Sequence, residues 1–92
     1  MKTGIEQITE ERTKQISKYR YNGYHDSKYK NKELLGCALA YLNSAIFGAS
    51  IGSEDWPFSI DSFKDEGYAE NLKKAGAFIA AELDRLNVEK QS

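Results

Sequence analysis

A chain of 92 residues, 40% hydrophobic and 29% charged with a net charge of −1, has the balance of a globular domain and the length for one hydrophobic core. No apolar run approaches the roughly 20 residues that span a bilayer, and the near-neutral charge gives no global field to attract nucleic acid. The single cysteine, Cys37, excludes a disulfide within the chain and a thiolate cluster for zinc.

Met1 to Glu6 enters a charged helical pattern without an apolar leader, so the expectation is a cytoplasmic protein forming a single domain over residues 1–92. Thr3 and Glu6 have the spacing of a capping box, in which the Thr hydroxyl and the Glu carboxylate each satisfy an unpaired backbone N–H at a helix start. A first helix is therefore predicted over about residues 4–19. Ile5, Ile8, Ile16 and Tyr19 recur at helical spacing, and the positions that complete their stripe are the polar Arg12 and Gln15.

Asn22-Gly23 is a turn signal, and Tyr21 to Lys30 reads as a loop crowded with tyrosines. Between Lys18 and Lys32 the basic residues Lys18, Arg20, Lys28, Lys30 and Lys32 face a single acid, Asp26, which makes this stretch a local basic patch. Asn31 is a candidate cap for a second helix over about residues 31–47. Its apolar positions cover more than one face, and Gly36, Cys37, Ala38 and Ala40 are small enough for a neighbouring backbone to approach, with Cys37 buried and inert. Gly48 to Gly67 reads as a long loop pinned by Trp56, Phe58, Ile60 and Phe63. The third helix, over about residues 66–87, has the cleanest periodicity, with Tyr68, Leu72, Ala75, Ile79, Leu83 and Leu86 on one stripe. Val88 to Ser92 has no packing pattern and is expected to fray. The fold class is all-α, with three main helices and a long aromatic-containing loop between the second and third.

His25-Asp26 places an imidazole beside a carboxylate, a pairing that suits a base or a metal ligand. It is the only histidine, so the spaced ligands of a metal phosphohydrolase are missing. Glu82 and Asp84 diverge by roughly 200° around a helix of 3.6 residues per turn, and the second helix offers only Glu33, so the paired carboxylates of a magnesium-dependent nucleotide pyrophosphatase are missing too. No metal, cofactor or catalytic residue is expected.

A different chemistry is written into the tyrosine-lysine segment: flat rings stack on a base and cations meet phosphates. Tyr19, Tyr24 and Tyr29 are the candidate stacking residues, and Arg12, Lys28 and Lys30 the candidate phosphate ligands. Gln15, His25, Asp26 and Asn31 supply hydrogen bonds, and Trp56 and Phe58 the walls of a pocket. The competing reading gives Arg12 an internal ion pair, with Glu33 as one candidate partner, makes Trp56 and Phe58 ordinary core, and leaves Lys73 and Lys74 on a solvated face.

Arg12-x-x-Gln15-Ile16, an aromatic before His25-Asp26, Glu33-Leu34 opening an alanine-rich helix with Tyr41, Trp56-Pro57-Phe58, and Asn71-Leu72-x-Lys74-Ala75-Gly76-Ala77 through Asp84-Arg85-Leu86 together form a pattern. In these residues, and across nearly its whole length, the chain resembles short helical proteins encoded by phages and prophages. Ser27 departs from it, standing where a second acid is expected. In type, though not in motif, such proteins are similar to the phage sponges that sequester nucleotide signals of bacterial immunity. The resemblance implies a homo-oligomeric, non-enzymatic anti-defence protein in the infected bacterial cytoplasm. Its partner would be a small-molecule nucleotide, an ADP-ribose-type signal made by a TIR enzyme, with no DNA, RNA or membrane partner. The alternatives are a metal-dependent nucleotide hydrolase and a protein that inhibits a host factor through the apolar faces of helices two and three.

Overall fold

The computed structural model describes residues 1–19 and 23–91, leaving out the side chains of Tyr19, Tyr24, His25 and Gln91. The chain is all-α, and among the described residues there is no strand. Helix α1 (Gly4–Tyr19) is followed by the one-turn α2 (Gly23–Asp26), α3 (Glu33–Phe47), the one-turn α4 (Ala49–Gly52) and the long α5 (Tyr68–Gln91). Two 3-10 turns, Ser53–Asp55 and Ile60–Ser62, lie between α4 and α5.

Local chemistry sets the first boundary. The Glu6 N–H donates to Thr3 Oγ1 at 3.2 Å, and the Thr3 N–H donates to Glu6 Oε1 at 3.1 Å, which closes the capping box. Four expectations are corrected. The stretch from Tyr21 to Lys30 contains α2 rather than loop alone, because Gly23 has no side chain to keep it from α5: a Cβ there would stand 2.8 Å from the Asp84 carbonyl oxygen and from a Val88 methyl. Asn31 does not cap α3. Lys32 occupies the cap position in the left-handed region, with φ 66°, and Glu33 Oε1 turns back to accept the Asn31 N–H at 2.7 Å. Residues 48–67 are not structureless, since α4 and both 3-10 turns fall there. Helix α5 does not fray at Val88 but runs to Gln91, helped by a 2.7 Å hydrogen bond from Arg85 Nη1 to Glu89 Oε2 across one turn.

Helix α5 is the spine of the molecule. Helix α3 packs most extensively against it, α1 and α2 also rest on it, and α4 with the turn after it packs against α3. Asp26, 4.0 Å from the Arg12 guanidinium that binds Asp84, is near enough to Cys37 to act on its thiol, while four residues on Tyr41 stacks on Phe78 and takes the Lys74 ammonium 5.3 Å from its ring centre, so α3 and α5 run antiparallel. The buried hydrophobic residues are few and mostly small, among them Leu34, Cys37, Ala38, Ala40, Tyr41, Ala75, Ala77 and Ala81. Small side chains let the helix axes come close, and the tightest approach is at Gly52, where a Cβ would fall 1.9 Å from Ser44 Oγ and 2.5 Å from the Ala40 carbonyl oxygen.

The apolar stripe read on α5 is not the core, and the one on α1 faces inward only in part. On α1, Arg12 and Gln15 of the stripe are buried and Ile8 reaches Gly76 of α5, while Ile5 and Ile16 are exposed. On α5, Tyr68, Leu72, Ile79, Leu83 and Leu86 are exposed and only Ala75 of the stripe is buried; the inward face carries Asn71, Lys74, Ala77, Ala81 and Arg85. Polar residues are tolerated there because each finds a partner. Asn71 donates to Asp65 Oδ1 at 2.6 Å, Lys74 to the Lys64 carbonyl at 2.8 Å, and Arg85 to both oxygens of Glu82 at 2.7 and 2.9 Å.

Candidate functional site

The segment between α4 and α5 folds over the α3/α5 pair because its aromatic residues find partners there. Tyr41 is the hub. Its ring lies 4.9 Å from Phe63, 5.4 Å from Trp56 and 6.0 Å from Phe78, and its hydroxyl accepts the Lys64 N–H at 3.0 Å. Burial is the main reason its phenol is held above the usual range, and the Lys64 N–H works in the opposite direction. Trp56 is oriented by its own indole N–H, which is shared between the Ser59 carbonyl at 3.1 Å and Ser62 Oγ at 2.9 Å. Phe58 then meets Tyr29 at 5.2 Å, linking this segment to the connection between α2 and α3.

The rings enclose a cavity of about 460 Å³ bounded by α1, the α2–α3 connection, α3, the segment before α5, and α5. Tyr29, Tyr41, Trp56, Phe58 and Phe78 form its aromatic walls, with Leu34 and Ala81 beside them. Glu11, Lys14 and Gln15 come from α1; Asp26, Ser62, Lys64, Glu66 and Lys74 complete the polar part. Three lysines and three carboxylates stand in the lining. Lys74 is bound to Glu66 as well as to the Lys64 carbonyl, and this contact holds the Glu66 carboxyl below its usual range. Lys14 and Lys64 are exposed. A concave space of this volume, walled by five aromatic rings and bordered by eight polar or charged side chains, has the size of a small-molecule site.

Of the residues singled out from sequence, Gln15, Asp26, Tyr29, Trp56 and Phe58 line this cavity. Arg12 does not. Its guanidinium is buried and occupied: Nε and Nη2 donate to Asp84 Oδ2 at 3.0 and 2.7 Å, Nη1 donates to Gln15 Oε1 at 3.0 Å, and Asp26 Oδ2 stands 4.0 Å away. The bound acid is Asp84, where the sequence offered Glu33 as one candidate, and the pair joins α1 to α5. Lys28, Lys30 and Asn31 are exposed and outside the lining. The Lys28 ammonium lies 5.1 Å from the centre of the Tyr29 ring, and the Asn31 backbone N–H is spent on Glu33. The parts assigned to the Tyr19, Tyr24 and His25 side chains fall outside the described residues.

Sequence reasoning missed Tyr41, Phe78 and Lys74 as wall residues. The signal was present: Lys74, Phe78, Ala81 and Arg85 recur at helical spacing, but a stripe that begins and ends on a cation reads as solvent-facing. No family profile, curated protein or solved structure matches this chain. Among the described residues, no three His, Cys, Asp or Glu side chains gather closely enough to hold a metal ion, and no helix is long and apolar enough to cross a membrane.

Proposed function

We propose that the chain binds a nucleotide in the aromatic cavity and sequesters it without cleaving it. The observation that carries this reading is the set of five aromatic residues, Tyr29, Tyr41, Trp56, Phe58 and Phe78, that line one cavity of about 460 Å³, room for a flat heterocycle. Gln15 and Asp26 at the same wall supply a hydrogen-bonding edge for a base or a ribose. Phosphates are met at the opening by Lys14 and Lys64, which take over the role first given to Arg12, Lys28 and Lys30. The ligand class follows the resemblance to phage proteins: an ADP-ribose-type immune signal made by a TIR enzyme, withdrawn from its receptor in an anti-defence role.

Titration calorimetry with ADP-ribose, its cyclic isomers and adenosine tests the assignment. Binding is expected for at least one of them, weakened about five- to hundredfold by Trp56→Ala or Phe58→Ala, as the loss of one stacked base contact of about 1–3 kcal/mol implies. Heat and thermal shift absent for the whole set would remove the reading. Chromatography after denaturing the complex separates capture from hydrolysis, because a sequestering protein returns the nucleotide intact.

A further inference from the structure

Helix α3 carries no charged residue from Leu34 to Phe47, yet Leu35, Leu39, Leu42 and Ile46 on it are exposed. Each is one residue beyond an inward or half-buried position: Leu34, Ala38, Tyr41 and Ala45. On α5 the exposed Leu72, Ile79, Leu83 and Leu86 likewise follow Asn71, Phe78, Glu82 and Arg85. A one-residue step turns a side chain about 100° around a helix axis, in the same sense on both helices. Because α3 and α5 run antiparallel, equal rotations bring both stripes to the same side of the pair. The result is one aliphatic face built on two helices.

We propose that this face is a homodimer interface, in which the α3/α5 pairs of two copies stack about a two-fold axis as a four-helix bundle. The stripes advance by four, three and four residues on α3 and by seven, four and three on α5, the heptad spacing of helices that pack side by side over their length. The eight aliphatic side chains are 36–62% exposed. Roughly half of eight such chains, at on the order of 150 Å² each, amounts to on the order of 600 Å², the top of what one patch on a monomer usually reaches. A stable interface takes about 800 Å² from each partner, so this face supplies most of one side. Its eight named residues carry no charge, and depletion of charge with enrichment in apolar area is the composition of homodimer cores. A second copy presents the same antiparallel seams and fits them by symmetry. The inference does not depend on the ligand.

Sedimentation velocity and native mass spectrometry of the whole chain at micromolar concentration test it. The wild type is expected as a dimer. Leu39→Glu and Leu83→Glu, exposed positions where glutamate keeps helix propensity, are expected to raise the dimer Kd by about thirtyfold or more. Ile60→Glu, at an exposed apolar site between α4 and α5, is expected to leave the mass unchanged. Circular dichroism monitors the fold, and Ile46→Gln, at the most exposed residue of the α3 stripe, replaces either variant that loses helicity. A monomeric wild type, or a dimer that survives the stripe substitutions in folded protein, overturns the proposal.

Discussion

Two nitrogens of Arg12, Nε and Nη2, converge on a single oxygen of Asp84, at 3.0 and 2.7 Å. The pair joins the middle of α1 to the last third of α5. Arg12→Met and Asp84→Asn are each expected to cost about 1–3 kcal/mol, the range for a charged hydrogen bond whose partner is left behind. Asp84 is 43% exposed at its side chain, so its own removal belongs at the lower end. The double variant should lose less than the sum of the singles, and a urea-denaturation double-mutant cycle measures the difference.

Gly52→Ala is expected to destabilise the chain by about 1–3 kcal/mol, the usual cost of overpacking. The added methyl would strike Ser44 and the Ala40 carbonyl, and the backbone of α3 or α4 must shift to admit it. Equilibrium unfolding in urea reads the cost. Gly76→Ala serves as a contrast, since the three atoms nearest its methyl all belong to the Ile8 side chain and none to a backbone.

Asp65 gives a pH prediction. Hydrogen bonds from the Asn71 side chain and the Gly67 N–H hold its carboxyl below the ordinary aspartate value, so the folded state prefers the charged form. Its contribution is present above about pH 3.9, the unfolded value, and is lost as pH falls through the lower folded one. Wild-type protein should therefore melt above Asp65→Asn near neutrality, with the gap closing below about pH 4. Melting curves of both proteins across that range check the sign.

Cys37 is fully buried, and burial, aided by the charge of Asp26, pushes its thiol up to about 12. Alkylation by a maleimide at pH 8 is expected to be slow in the folded protein and immediate in denaturant, because the thiolate is both scarce and enclosed. Fast labelling of folded protein would contradict the placement of α3.

How much was legible in sequence depended on range. Thr3 and Glu6 are three residues apart, and their capping box was readable because both partners lie in one turn. Trp56 and Phe58 were readable as wall residues because their aromatic chemistry leaves few other roles. Lys74 was not: its burial depends on the Lys64 carbonyl and on Glu66, partners brought together by how the segment before α5 enters the helix. Asn71 was hidden for the same reason, with Asp65 as its partner. On α5, periodicity marked an apolar stripe correctly but not which neighbour it faces, and α3 selected the alanine-rich face instead because small side chains let the helices come closer.

Tyr29, Tyr41, Trp56 and Phe78 reach their shared hollow from parts of the chain that nowhere adjoin in order. No excised peptide can reproduce it, and a chain opened at any one wall forfeits the others. The cavity is therefore all or nothing with folding, and any molecule that bound in it alone would shield the polypeptide from proteases.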